Sequence, residues 1–123
     1  MDARLIFHVA TGLLAVAFGA GLALACVRFC TDHQAPPWLA KLHGYAAVAA
    51  LSILVLEASH TALPRGGWFG LIALLLAAAG GVVLNLGYHW KLKPLPEWLV
   101  FVHMSIAFIG FLAIGLVTLS LTP

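Results

Sequence analysis

Two histidines stand in matching surroundings at distant positions in the chain. Residues 36–47 read PPWLAKLHGYAA and residues 96–107 read PEWLVFVHMSIA. A shift of 60 positions places His43 on His103, and each follows the same Pro-x-Trp-Leu start by the same interval. Neutral imidazole is a common metal ligand. The spacing therefore predicts a site in which two imidazoles face each other across one shared centre.

The elements that carry this pair must be apolar. Of the 123 residues, 63% are hydrophobic and only 8% are charged, and the mean hydropathy is +1.09. Soluble domains carry about a quarter charged residues, so this chain cannot cover a surface in water. Its net charge of +2 is too small to indicate nucleic-acid binding. Lipid is the solvent that the composition predicts.

Four apolar runs follow one another along the chain, separated by proline-containing breaks. Crossing a bilayer takes about 20 helical residues, and the absence of water in the hydrocarbon core requires helices rather than open strands. We interpret the first run as a retained span rather than a cleaved signal peptide. The chain is then a single all-α membrane domain, residues 1–123, with spans at about 5–29, 38–62, 68–90 and 98–121.

The shift of 60 positions also divides the chain into two units. Residues about 1–60 and 61–123 each contain one two-helix hairpin, and because each hairpin crosses twice, the two repeats are parallel. The prediction is a four-transmembrane-helix up-down bundle in which helices two and four lie diagonally opposite. His43 and His103 then lie at equal depth and face each other.

Facing imidazoles on bundle helices can ligate the iron of one haem b from both sides. Such a group needs small neighbours, which Gly44, Ala47 and Ala107 supply near the two histidines. Other interpretations stay open at this point: a hydrogen-bonded structural pair, another macrocycle such as a chlorophyll, a metal ion without a macrocycle, or a quinone contact.

Basic residues are unevenly distributed over the two ends of the bundle. Cytoplasmic loops are enriched in Lys and Arg. The pattern therefore predicts that loop one, between spans one and two, and loop three, between spans three and four, are cytoplasmic. Both termini are then outside, and the expected membrane is a bacterial inner membrane. The richer side has four such residues and the other side two, which are Arg28, Lys41, Lys91 and Lys93 against Arg4 and Arg65.

The same basic side offers partners for the acidic edge of a haem. The candidates are Lys41, Lys91, Lys93 and His89, although each lysine taken alone is better interpreted as an ordinary positive-inside anchor. Asn85, one turn before His89, is polar and lies within a span. It could hydrogen-bond a ligand or complete a packing contact.

A weaker cluster is expected at the opposite end. Glu57 and His60 are neighbours on one helix face, and His8 begins the first span. Together they could bind a metal, a quinone head group or a second haem, or form only a hydrated interface cluster. Cys26 and Cys30, four apart, are expected to be two small buried side chains.

The chain resembles the small four-helix membrane b-type cytochromes, of the cytochrome b561-like kind. The resemblance rests on four spans, inward histidines at matched depth, and the motif P-x-W-L-x-x-x-H, seen twice. It implies haem b and transmembrane or quinone-linked electron transfer. Members often carry two haems on four histidines, whereas here only His43 and His103 look paired. The chain is also similar to uncharacterised small bacterial membrane proteins, for which the resemblance implies no activity.

The expected function is therefore electron transfer through one haem b, by a carrier or subunit rather than a stand-alone enzyme. The alternative is a non-catalytic accessory subunit of a larger membrane complex without its own cofactor. Expected partners are membrane lipid, other membrane subunits or further copies of the chain, and a quinone, with no nucleic acid.

Overall fold

The computed structural model describes residues 2–121, and all regular structure within that range is helical. No strand occurs among these residues, which confirms the all-α class. Each helix, the third taken with its π-helical end, is long and apolar enough to cross a membrane. The helices are α1 (Ala3–Cys30), α2 (Pro37–His60), α3 (Arg65–Leu84) continued by a π-helical turn (Asn85–His89), and α4 (Glu97–Ser120).

Helix starts follow from local chemistry. The carboxylate of Asp2 accepts the backbone N–H of Arg4 at 3.1 Å and caps α1. A proline stands directly before each of the other helices, at positions 36, 64 and 96. Proline has no N–H to leave unpaired, so it suits a helix boundary that has no side-chain cap.

The third span departs from the sequence prediction at both ends. The third helix begins before the predicted start of its span at about residue 68, because Arg65, Gly66 and Gly67 already form the first turn of α3. Gly67 is buried, and a Cβ there would lie 3.7 Å from the Phe7 ring. The missing side chain of Gly67 therefore leaves room for the Phe7 ring to reach the start of α3.

At its other end α3 widens into a π-helical turn. The N–H of Trp90 donates to the carbonyl of Asn85 at 2.7 Å, five residues back, and the N–H of Lys93 donates to Tyr88 at 2.9 Å. Leu92, between them, has a φ of 55°, in the left-handed region. Helices often end with one residue in this left-handed conformation, which is usually a glycine and is a leucine here.

The helices pack as two hairpins side by side. α1 packs along α2, and α3 packs along α4; further contacts join α1 to α4 and α2 to α3. Between the described helices no comparable contact joins α1 to α3 or α2 to α4. Helices α2 and α4 are therefore diagonal, and only side chains that reach across the axis can link them.

The buried core is divided along the bundle axis. A large cluster, centred on Phe7, Leu54 and Ile114, fills the end near the termini and the α2–α3 loop. A small one, of Ala25, Leu84 and Val100, lies towards the other end. The outward faces carry exposed large side chains such as Leu56 and Leu116, with 60% and 67% of their surface exposed. Such faces suit lipid rather than water.

Candidate functional site

His43 projects from the second turn of α2 towards α1. Its Nδ1 lies 2.7 Å from the backbone carbonyl oxygen of Ala17. Because a carbonyl can only accept, Nδ1 carries the proton and donates it. The ring lies over Gly21, where an added Cβ would come within 2.9 Å of the imidazole Cε1. The imidazole is thus held by one hydrogen bond to α1, and it fits against that helix because Gly21 has no side chain.

His103 repeats this arrangement in the other hairpin. Its Nδ1 donates to the carbonyl oxygen of Ala77 on α3 at 2.8 Å. Its ring lies over Gly81, where an added Cβ would be 3.2 Å from Cε1. Each histidine is 26 residues beyond the carbonyl that orients it. The two imidazoles are therefore held in equivalent ways from opposite sides of the bundle.

The two imidazoles meet across the bundle axis. Their ring centroids are 6.0 Å apart and the ring planes are inclined by 75°. Both side chains are partly buried. This is a direct approach between the diagonal helices α2 and α4, whose backbones stay apart.

The arrangement suits two ligands on opposite faces of one metal ion. With Nδ1 protonated, a neutral imidazole keeps its lone pair on Nε2, the atom that can bind a metal. An imidazole nitrogen ligates a metal at about 2 Å and the ring centroid lies about 1 Å further back, so two opposed ligands hold centroids about 6 Å apart. The observed 6.0 Å matches that separation. Two imidazoles that bind one ion through Nε2 can have any angle between their ring planes, so the inclination of 75° is compatible.

Several small residues lie in the layer around the histidines. This layer lies between the two buried clusters, and no buried member of either cluster falls within residues 15–24, 43–49, 75–83 or 101–113. Ala47 and Ala107, one turn beyond their histidines, are partly buried. Gly44 faces open space, since nothing lies within 4 Å of a Cβ added there. Haem b, which the resemblance implies, thus meets a suitable ligand pair, beside small residues and beside the packed rings of Phe18, Phe108 and Phe111.

The candidate partners on the basic side are accessible but not assembled around the histidines. Lys41, Lys91, Lys93 and Asn85 are exposed, and His89 is partly exposed on the π-helical turn. Arg28 is already engaged at this end. Its Nε donates to the Leu95 carbonyl at 2.7 Å and its Nη2 lies 3.3 Å from a Glu97 carboxylate oxygen.

The expected second cluster does not form a three-ligand site. Glu57 points into the bundle with 7% of its surface exposed, as its helix register predicts, and accepts the Thr61 hydroxyl at 2.7 Å. His8 and His60 are exposed, and His8 donates to the Arg4 carbonyl at 2.8 Å. Within residues 2–121 no group of three or more His, Cys, Asp or Glu side chains is placed to hold a metal ion.

The expectation for the cysteines is wrong. Cys26 and Cys30 are both exposed free thiols rather than buried packing residues. They lie near the end of α1, and their sulfur atoms are 3.7 Å apart.

Sequence reasoning missed the acceptors that orient the imidazoles. They are the backbone carbonyls of Ala17 and Ala77, which no side-chain motif identifies. A signal was nevertheless present: the shift of 60 positions that superimposes the histidines also superimposes these two alanines, as well as Gly21 on Gly81.

The chain matches no protein-family model, and neither a curated protein nor a solved structure matches it. The function must therefore be argued from the geometry of its own residues.

Proposed function

We propose that this chain is a membrane b-type haem protein that carries electrons, with His43 and His103 as the two axial ligands of a single haem. The proposal rests on the two imidazoles, whose ring centroids are 6.0 Å apart. In each ring Nδ1 donates a hydrogen bond to a backbone carbonyl, so the lone pair of Nε2 can bind a metal. The haem would supply the one-electron redox chemistry, and the protein would supply ligands, burial and orientation.

The carbonyl hydrogen bonds explain what this chain's residues would do for the centre. An N–H···O=C bond at Nδ1 fixes the tautomer and makes Nε2 a more basic metal ligand. Both ligands have that bond at nearly equal length, 2.7 and 2.8 Å. The glycines beside them let each ring rest against its neighbouring helix. The site is thus rigid before any ligand binds, which limits structural change during electron transfer.

We infer further that the two hairpins are parallel copies of one ancestral unit. Three features recur at a spacing of 60 positions: the histidine, the alanine carbonyl that orients it, and the glycine under its ring. The basic residues at the end of the bundle nearer the histidines favour a cytoplasmic position for that end in a bacterial inner membrane. Electrons would then exchange with a quinone or a membrane partner near that surface.

The decisive experiment is an absorbance spectrum of the purified protein, oxidised and reduced, after expression with added haem precursor. A Soret band and a sharp reduced α-band are expected, with one haem per chain. His43→Ala and His103→Ala should each abolish low-spin haem, whereas His33→Ala, in the exposed first loop, should not. A colourless protein, or an unchanged spectrum in either ligand variant, would refute the proposal.

One observation favours the alternative of an accessory subunit. An open apolar groove of about 490 Å³ runs between α3 and α4 on the outer surface, lined by Phe69, Ile109, Leu112 and Leu116 among others. A neighbouring helix or a lipid tail would fit such a groove. A colourless protein that is purified only within a larger membrane complex would support this function instead.

A further inference from the structure

The two cysteines form a second chemical feature, separate from the histidine layer. Cys26 and Cys30 lie one turn apart on one face of α1, both exposed, with Sγ to Sγ at 3.7 Å. Neither sulfur is used to pack the bundle. Two adjacent free thiols at a surface are a chelating pair rather than core residues.

The sulfur separation matches a shared metal ion. A thiolate binds a metal at about 2.3 Å, and two such bonds to sulfurs 3.7 Å apart enclose an angle of about 107° at the metal. That angle fits a three- or four-coordinate ion that takes its remaining ligands from water or a partner's thiol, so both sulfurs can bind one ion without a backbone shift.

The surroundings decide which class of ion this pair prefers. No His, Asp or Glu joins the two cysteines in a group of three within the described residues. Structural zinc sites take four protein ligands and catalytic ones three, whereas soft ions such as Cu⁺ are selected by thiolates alone. Cys30 borders a polar surface cavity of about 240 Å³, together with Arg28, Asp32 and Glu97.

We propose that Cys26 and Cys30 form a two-thiolate binding site for one soft metal ion of the Cu⁺ class. As the two metal–sulfur bonds form, each thiol releases its proton to solvent. The remaining coordination positions face outward, because both cysteines are exposed. Because Cys30 is the last residue of α1 and borders the polar cavity, the bound ion can be exchanged there with thiols in solution or on a partner.

Cadmium titration of the reduced protein in detergent tests this directly, since Cd²⁺–thiolate bonds give an ultraviolet charge-transfer band. The wild type should saturate at one Cd²⁺ per chain, and Cu⁺ should displace it. Cys26→Ser and Cys30→Ser should each lose the one-ion end point. The matched control is the double variant Ala23→Cys with Cys26→Ser. It keeps two cysteines on an exposed face of α1 but moves them about 10 Å apart along the axis.

The outcomes are distinct. No band in the wild type, a full band in either serine variant, or equal binding by the displaced pair would each overturn the proposal. His43→Ala should retain the Cd²⁺ end point, because the dithiol does not involve the histidine layer. Failure here therefore leaves the haem proposal standing, and the converse also holds.

Discussion

Gly21 offers the sharpest test of how the imidazoles are held. A Cβ added at this position would lie 2.9 Å from Cε1 and 3.0 Å from Nδ1 of His43. Carbon atoms in contact settle at about 3.5–4.0 Å, so Gly21→Ala must push the ring away from α1 by about 0.6 Å or more. That movement stretches the 2.7 Å bond to the Ala17 carbonyl.

The expected cost follows from three opposing terms. Overpacking a tight site destabilises by about 1–3 kcal/mol, and losing a hydrogen bond costs about 1 kcal/mol. Replacing glycine by alanine inside a helix returns about 1 kcal/mol. Gly21→Ala should therefore lower the free energy of unfolding by about 1–3 kcal/mol. Gly81→Ala should cost less, because its Cβ would lie 3.2 Å from the His103 ring.

The matched control is Gly19→Ala on the same helix. Nothing lies within 4 Å of a Cβ added there, so this variant should be neutral or gain up to about 1 kcal/mol from helix propensity. Reversible unfolding in mixed detergent, followed by circular dichroism, measures all three variants. The absorbance of bound haem provides a second readout, which should shift or weaken in the order Gly21→Ala, Gly81→Ala, Gly19→Ala.

The result that would refute this reasoning is simple. If Gly21→Ala unfolds and absorbs like Gly19→Ala, then the His43 ring does not rest on α1. The carbonyl bond would then not be what orients the ligand. A loss of stability without any spectral change would show instead that the glycine serves helix packing alone.

Three further predictions concern the ends of the bundle. Arg28→Ala should destabilise the protein more than Glu97→Ala in the same unfolding assay. Both variants lose a half-exposed ion pair that is worth about 0–1 kcal/mol, but only Arg28→Ala also loses the hydrogen bond to the Leu95 carbonyl. Leu92→Gly should raise the free energy of unfolding by about 1 kcal/mol, because it removes a left-handed leucine; a loss would show that the leucine side chain matters more. In a chain without other cysteines, Asp32→Cys should resist an impermeant maleimide in intact cells and Ala62→Cys should react; the reverse pattern would invert the topology.

Much of the fold could be predicted because the bilayer limits the choices. Span length, turn prolines and apolar composition located four helices whose bounds differ from the structure by three residues or fewer, apart from the π-helical end of α3. The start of the third span was placed three residues late, at about 68, because Gly66 and Gly67 are as typical of a loop as of a close helix contact. The π-helical turn was missed because its backbone bonds leave no side-chain pattern in residues 85–89.

Only part of the candidate site could be predicted from the sequence. The histidine pair could be predicted, because ionisable side chains inside a span are rare and stand out. The three residues at the other end are not placed to hold one metal ion, because spacing along the chain does not say which side chains of α1 and α2 reach one another. His8 lies on α1 and donates to its own helix, while Glu57 turns inward to Thr61. The exposure of Cys26 likewise depends on how α1 rotates against its neighbours, which composition does not reveal.

The helical turn from Ala17 to Gly21 on α1 shows why few residues are needed to hold each imidazole. Within an α-helix the carbonyl of residue i accepts the N–H of residue i+4, so the Ala17 carbonyl accepts from Gly21 as well as from His43. A carbonyl has two lone pairs and can serve both. The residue that closes the helical bond on this carbonyl is thus the same one whose missing Cβ admits the imidazole. One Ala-x-x-x-Gly turn therefore supplies both the acceptor and the space. Ala77 and Gly81 do the same on α3, and a histidine 22 residues after each glycine completes the imidazole pair.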